Sequence, residues 1–261
     1  MNRSVIEISA LSKTYSGSNS IKTEALRNID LIVNDGELLC IVGKSGCGKS
    51  TLLNIIAGII QPTEGQIKVF GDHPVKVRQK ISYIQQRAQL LSYRTVLQNA
   101  VLGMELRNSL TTENLKRTYE LLSFLGLNGF SRHYPHELSG GMQQRVALAR
   151  TLAVDSSMLL CDEPFVSLDF DTRLELEDLF WQTVKDKKKT SVFVTHDIES
   201  AVALGDRIAI MSPRPGSIFK IISVDEEISQ KQPLSRRQSS VFSKYFSEVW
   251  QKLRKVQENY D

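Results

Sequence analysis

A glycine-rich segment followed by a lysine and two hydroxyl residues is the part of this 261-residue sequence best suited to chemistry. It reads Gly43-Lys44-Ser45-Gly46-Cys47-Gly48-Lys49-Ser50-Thr51 and matches the pattern G-x-x-x-x-G-K-S/T. The glycines allow successive backbone N–H groups to curl around phosphate oxygens, and the helix expected to follow adds the positive end of its dipole. We expect Lys49 to reach the β- and γ-phosphates of a nucleotide and the Ser50 hydroxyl to ligate Mg²⁺.

Two adjacent carboxylates, Asp162 and Glu163, follow the apolar run Leu159-Leu160-Cys161. Carboxylates at the carboxyl end of a strand are well placed for metal and water when the same parallel sheet holds a phosphate loop. We expect Asp162 to bind Mg²⁺ through water. Glu163 is then the candidate general base that polarises the attacking water.

A second candidate phosphate-binding element lies in Leu138-Ser139-Gly140-Gly141-Met142-Gln143-Gln144-Arg145. Ser139, Gly140 and Gly141 would expose backbone amides at the start of the helix that follows. One nucleotide cannot readily use both anion-binding helix ends when they belong to different lobes of one chain. A head-to-tail homodimer solves this, because each chain then caps the nucleotide that the other chain holds.

Buried strands alternating with helices must position these residues. Half-exposed alternation near residues 5–8 and 25–31 predicts an N-terminal antiparallel β-subdomain, with a loop from Tyr15 to Ser20. The middle of the chain, about 88–155, lacks strand patterns and is predicted to be an inserted α-helical subdomain. Continuous apolar runs predict doubly buried strands of a parallel α/β sheet at 38–42, 158–161, 191–195 and 207–211.

Taken together, these motifs resemble those of the ATP-binding cassette (ABC) ATPases over residues 5–216, and the segment LSGGMQQR is highly specific for that family. The resemblance implies a P-loop NTPase (RecA-like) core that hydrolyses ATP to ADP and phosphate with Mg²⁺. It places one ABC ATPase domain over residues 1–216. A C-terminal extension, 217–261, would follow.

The resemblance also implies roles for four residues outside the first three motifs. Tyr15 looks like the aromatic residue that stacks on adenine. Gln86 resembles the glutamine that senses Mg²⁺ and the attacking water and links the chemistry to a membrane subunit. Asp169, in Ser167-Leu168-Asp169, looks like the residue that crosses the dimer interface, and His196 matches the switch histidine that contacts the γ-phosphate.

Residues 83–103 and 212–216 look most like the ATPase of the nitrate/sulfonate/taurine importer group, although Ser92-Tyr93 replaces the Pro-Trp usual there. The resemblance implies an importer subunit that energises uptake of a small solute. Its partners would be transmembrane permease subunits and, indirectly, a substrate-binding protein. No run approaches the ~20 apolar residues needed to span a bilayer, so the expected location is peripheral, on the cytoplasmic face of the cell (inner) membrane.

The main alternative is a soluble ABC ATPase acting on nucleic acid or ribosomes. The interval between Gln86 and Ser139 has no room for the long coiled-coil arms of chromosome-maintenance relatives. The net charge of +4 is a mild excess, so no nucleic acid partner is expected. An exporter cassette is disfavoured because the local matches are importer-like, and a P-loop kinase or GTPase has no use for the segment at Ser139.

Apolar residues recurring between Val241 and Val256 predict an amphipathic helix of about four turns. Such a helix either docks on its own domain or on the dimer mate, or it serves a dedicated partner. The sequence leaves these readings open.

Overall fold

The structure, a computed structural model, describes residues 3–16, 22–166 and 168–258, and within them the strands form one three-stranded and one six-stranded sheet. In chain order the strands are β1 (Ser4–Ser16), β2 (Lys22–Asn34), β3 (Leu38–Val42), β4 (Glu64–Val69), β5 (Ile81–Ile84), β6 (Met158–Asp162), β7 (Thr190–Thr195), β8 (Arg207–Met211) and β9 (Ile218–Ser223). The α-helices are α1 (Lys49–Ile56), α2 (Val96–Leu106), α3 (Thr112–Phe124), α4 (Gly140–Leu152), α5 (Phe170–Asp186), α6 (Ile198–Leu204), α7 (Glu226–Ser229), α8 (Pro233–Arg237) and α9 (Ser240–Glu258).

The six-stranded sheet has the order β5-β6-β7-β3-β8-β9. Its first five strands are parallel, and β9 runs antiparallel to β8. The four runs predicted to be buried strands are β3, β6, β7 and β8. Since β7 alone separates β3 from β6, the segments that follow these three strands meet at one edge of the sheet, as expected for a ligand site in an open α/β fold.

Both faces of this sheet are buried. In β3, Leu38, Cys40 and Val42 belong to one apolar cluster, whereas Leu39 and Ile41 belong to a second. The alternation follows from the period of two in a strand. A run of five apolar residues is therefore needed to satisfy two cores at once, which is why the pattern identified β3 from sequence.

The three-stranded sheet is antiparallel, with the order β2-β1-β4. The predicted loop from Tyr15 to Ser20 is wrong at its start, because Tyr15 and Ser16 still pair with Thr23 and Lys22. Residues 17–20 of that loop lie outside the described residues. Pairing with β2 extends β1 beyond the point at which the local sequence turns polar.

Helices α2, α3 and α4 lie between β5 and β6, where every residue is described and no strand occurs. Thr95 caps α2 in a capping box with Gln98. Asn99 is fully buried in that helix. Its side-chain oxygen accepts from the Leu91 N–H, and its amide group donates to the carbonyls of Leu91 and Arg94. This fixes the segment that joins Gln86 to the helical unit.

The C-terminal part begins with β9, which the sequence reading missed, and continues through α7, α8 and α9. Arg236 is fully buried and donates to the carbonyls of Gly205 and Lys231, both at 2.9 Å. The boundary at Gly216 stays a prediction, and β9, on its far side, pairs with β8. Within the described residues, no helix has both the length and the apolar character needed to cross a membrane.

Candidate active site

The phosphate loop follows β3 and leads into α1. Gly48, immediately before α1, has φ of 105°, and a Cβ there would lie 2.7 Å from Leu26 and 2.8 Å from the Ala25 carbonyl. Only glycine fits such a position. The first turn of α1 contains no acidic residue, so the positive end of its dipole is not neutralised by its own sequence.

Lys49 is buried and turned back onto the loop. Its Nζ donates to the Gly43 carbonyl at 2.7 Å and to the Lys44 carbonyl at 3.2 Å. Two uncharged carbonyl oxygens of the loop therefore hold the Lys49 ammonium group. Phosphate oxygens would make charge-assisted hydrogen bonds with the same group, and these are stronger.

The two carboxylates after β6 have different surroundings. Asp162 is buried, and burial raises the pKa of its carboxyl against the lowering effect of a hydrogen bond with Ser50. Glu163 follows with φ of 49°, a left-handed conformation that is uncommon for a residue with a side chain. Its N–H donates to the Val194 carbonyl of β7 at 2.9 Å, which anchors this strained backbone.

The carboxylate of Glu163 is the meeting point of three strand ends. Its Oε2 lies 3.1 Å from His196 Nδ1, which follows β7, and 3.4 Å from Gln86 Nε2, which follows β5. His196 donates here when its Nδ1 carries a proton. These three side chains were predicted separately from sequence, and the structure brings them together.

Asp197, next to His196, was not predicted as a site residue. It caps α6 by accepting from the Glu199 N–H at 3.0 Å, and its other oxygen meets Arg173 at 3.1 Å and the Ser200 hydroxyl at 2.8 Å. Ser200 also bonds the fully buried Glu177. The only sequence signal for Asp197 is that an aspartate precedes a helix, a common capping position.

A cavity of about 550 Å³ opens in front of the phosphate loop. The loop and the three strand ends form one side of it, and α9 forms the other. No sequence pattern indicates that α9 would reach this cavity. The predicted residues in its lining are Gly43, Lys44, Ser45, Gln86, Glu163 and His196, and those from α9 are Trp250, Leu253, Arg254 and Gln257.

Tyr15 lies beside the start of α1, with its hydroxyl 3.5 Å from the Thr51 hydroxyl. Its ring is 41 % exposed, and Lys13 Nζ lies 5.2 Å from the ring centroid. An exposed aromatic face next to the phosphate loop is available for stacking on a planar base.

Ser139, Gly140 and Gly141 do not line this cavity. Ser139 caps α4 by accepting from the Met142 N–H at 3.3 Å. Ser139 and Gly140 are exposed, and Gly141 is partly exposed. Asp169 is likewise exposed at the start of α5, where it caps the helix through the Thr172 N–H, and Ser167 lies outside the described residues. One chain therefore presents the two halves of the predicted nucleotide site on separate surfaces.

The arrangement suits transfer of a phosphoryl group to water. Lys49 and the start of α1 supply positive charge where phosphates would lie, and Asp162 with Ser50 offers a carboxylate and a hydroxyl for a divalent cation. Glu163 supplies a proton acceptor, which His196 and Gln86 hold in place.

Comparison with known proteins gives a consistent result. The family model described as ABC transporter matches residues 26–166. An uncharacterised ABC transporter ATP-binding protein, YtlC of Bacillus subtilis (strain 168), is 42 % identical over 236 residues, covering 90 % of this chain and 91 % of the relative. The aliphatic sulfonates import ATP-binding protein SsuB of Bacillus thuringiensis is 40 % identical over 217 residues, covering 83 % and 85 %.

Among solved structures, the ATP-binding cassette MJ0796, in a dimeric post-hydrolysis state bound to ADP and Pi, superposes with a TM-score of 0.77 at 33 % identity. The match covers 84 % of this chain and 99 % of that one.

Proposed function

We propose that this chain, which belongs to the ABC transporter family, is the ATP-hydrolysing subunit of an importer that takes up a small solute through separate permease subunits. The observation that carries the catalytic part is the convergence of Gln86 and His196 on the Glu163 carboxylate, at the mouth of the phosphate loop. A water molecule attacking a γ-phosphate needs a proton acceptor held in a fixed position, and these contacts fix the Glu163 carboxylate.

In this proposal the phosphates of ATP lie on the loop from Gly43 to Thr51, and the Lys49 ammonium moves from the loop carbonyls to the β- and γ-phosphates. Tyr15 stacks on the adenine. Glu163 accepts the proton of the attacking water, and His196 contacts the γ-phosphate. Once ATP is bound and Lys49 has moved, the charge that develops on the phosphoryl oxygens is met by groups in position, so little reorganisation is needed during the reaction.

The donor set fits Mg²⁺. Ser50 and Asp162 already share a hydrogen bond, so the hydroxyl and the carboxylate point to one place, and Gln86 lies at the adjoining strand end. Mg²⁺ prefers oxygen ligands and is usually bound by few protein groups together with substrate phosphates. When bound there, the metal would neutralise charge on the β- and γ-phosphates.

Two copies are needed to complete each site. Ser139, Gly140 and Gly141 stand at the exposed start of α4, away from the cavity in front of the phosphate loop. In a head-to-tail homodimer these residues of one copy would close over the nucleotide of the other, with Asp169 at the interface. The dimeric state of the similar cassette MJ0796 supports this proposal.

The helical unit offers a surface for the permease. A groove of about 770 Å³ lies between α2, α3 and the ends of α4 and α5, and its charged lining residues are Arg107, Arg117 and Lys187 with one carboxylate, Asp155. A cytoplasmic segment of the permease with acidic side chains or free carbonyls would fit it. The chain would then sit peripherally on the cytoplasmic face of the inner membrane, with a substrate-binding protein acting on the permease from the other side.

The import role is supported by the similarity to SsuB, an aliphatic sulfonates import ATP-binding protein. The test is reconstitution of the chain with its co-purified permease in proteoliposomes that contain ATP. We expect ATP-dependent uptake of a labelled small solute, with aliphatic sulfonates tried first. Phosphate release without a membrane partner, together with stimulation by DNA or ribosomes, would contradict the import role.

A further inference from the structure

One face of α9 forms the far wall of the cavity in front of the phosphate loop. Its four lining residues recur at i, i+3, i+4 and i+7, the spacing of one side of a helix. They are Trp250, Leu253, Arg254 and Gln257. No role in nucleotide binding or hydrolysis described above accounts for this face.

The wall is a fixed part of the fold. On the adjoining face α9 buries Tyr245, Val249 and Val256, and the Tyr245 hydroxyl accepts a hydrogen bond of 3.0 Å from the Asp225 N–H. Burial of three such side chains over most of the helix length holds both halves of α9 against the domain. The lining face therefore keeps its position beside the catalytic groups.

This face still has binding capacity. Trp250 is 50 % exposed, although a tryptophan ring gains much from burial. Arg254 pairs with Glu258 at 3.7 Å along the same helix, and both side chains are about two-thirds exposed, at 65 % and 68 %. Such exposed pairs contribute little and exchange readily. An exposed tryptophan beside an available arginine is typical of the residues that anchor protein interfaces.

The occupant that fits is a second copy of this chain. In the proposed homodimer, Ser139 of that copy reaches the nucleotide in this cavity, which α9 borders. Glu137 precedes Ser139 by two residues, so their Cα atoms lie within about 7 Å of each other. Glu137 is exposed, and its carboxylate is held in place by the Tyr134 N–H at 2.6 Å. In the dimer, the Glu137 carboxylate would therefore lie near the basic end of α9 wherever Ser139 enters the cavity.

We propose that the α9 face containing Trp250 and Arg254 docks residues 134–137 of the second copy, with Arg254 of one chain pairing with Glu137 of the other. This proposal rests on the proposed function, because it requires the ATP-loaded dimer. It adds a C-terminal contact, outside the nucleotide-binding motifs, that contributes to closing the pair.

The test uses the full chain carrying Glu163→Gln, which should bind ATP without hydrolysing it. Sedimentation equilibrium in ATP measures the dimer dissociation constant. Arg254→Glu should raise this constant about tenfold or more, since it places like charges together. Glu137→Arg should do the same, and the combined exchange should recover most of the affinity. Lys255→Glu is the matched control, because it makes the same charge change on an exposed position of α9 that does not line the cavity.

Failure of this proposal can be told apart from failure of the proposed function. If the Glu163→Gln chain forms no dimer in ATP, the proposed function fails. If it does form a dimer, and Arg254→Glu dimerises as tightly as Lys255→Glu or the exchange recovers nothing, docking on α9 is overturned. Trp250→Ala provides a second test that does not depend on charge, and it should also weaken the dimer.

Discussion

His196 Nδ1 lies 3.1 Å from Glu163 Oε2, although the two residues follow different strands of the sheet. Glu163 reaches this position through a left-handed backbone, and Asp197 fixes the start of the helix after His196. Two independent local constraints therefore converge on one contact. We infer that this contact orients the carboxylate before the nucleotide arrives.

Replacing Glu163 by glutamine should abolish hydrolysis while keeping ATP binding. The amide retains the shape of the side chain but cannot accept the proton of the attacking water, so the rate of phosphate release should fall by about 100-fold or more. Glu199→Gln, an exposed change at the start of α6, is the control and should keep the wild-type rate. Hydrolysis at near wild-type rate by Glu163→Gln would exclude Glu163 as the base.

Replacing Lys49 by alanine should weaken nucleotide binding. The charge-assisted hydrogen bonds that the ammonium group makes with phosphate contribute roughly 1.5–3 kcal/mol each, so the ATP dissociation constant should rise at least about tenfold. Titration with a fluorescent ATP analogue measures this. Lys76→Ala, at an exposed lysine, should bind as the wild type does. Tight ATP binding by Lys49→Ala would show that the phosphate loop is placed wrongly.

Two glycines of the phosphate loop should respond differently to alanine. Gly48 and Gly46 both have positive φ, of 105° and 81°, so either substitution strains the backbone. A Cβ at Gly48 would also meet the Ala25 carbonyl at 2.8 Å, whereas a Cβ at Gly46 meets nothing within 4 Å. Chemical denaturation without nucleotide should show Gly48→Ala to be the less stable variant by about 1–3 kcal/mol. Equal losses would mean that the contact with β2 is readily relaxed.

The buried carboxyl of Glu177 should make stability depend on pH. Burial raises its pKa despite the neighbouring Arg237 and Ser200, so the folded chain keeps a proton that the unfolded chain releases. The stability that this group contributes is fully present below its ordinary pKa of 4.5 and is lost as the pH rises from there through the raised, folded-state pKa.

Glu177→Gln does not titrate at this position. The free energy of unfolding of the variant minus that of the wild type should therefore increase with pH above about 4.5, with a slope of at most ~1.4 kcal/mol per pH unit. Glu175→Gln, on the exposed side of the same helix, is the matched control and should show a flatter difference. A constant difference for Glu177→Gln would contradict a raised pKa.

Sequence reasoning succeeded where a local pattern carries the information. The run from Leu38 to Val42 is buried on both faces of the sheet, and the glycines after it meet backbone requirements that other residues cannot satisfy. The strand β9 has no such pattern, because it lies at the sheet edge and buries chiefly Ile222. Edge strands lack the continuous apolar run on which the prediction depended.

The sequence indicates which residues form the candidate site, but not every residue that surrounds them. Gln86, Glu163 and His196 were identified from separate motifs, and the sheet topology explains why they meet. The approach of Trp250 and Arg254 to the same cavity depends on how α9 packs through Tyr245 and Val249. Long-range packing of this kind leaves no trace in the spacing of residues along the chain.

The side chain of Gln144 in α4 is buried and donates a 3.1 Å hydrogen bond to the carbonyl of Pro164, the residue directly after Glu163. The start of α4 is the part expected to touch the nucleotide of the second copy. In the proposed homodimer, a displacement of this helix on contact with that nucleotide would be passed through this hydrogen bond to Pro164 and so to the backbone of Glu163, the candidate base of its own chain. Each copy would then act as a coincidence detector, in which occupancy of one site adjusts the base in the other, and two bound nucleotides produce a response that one cannot.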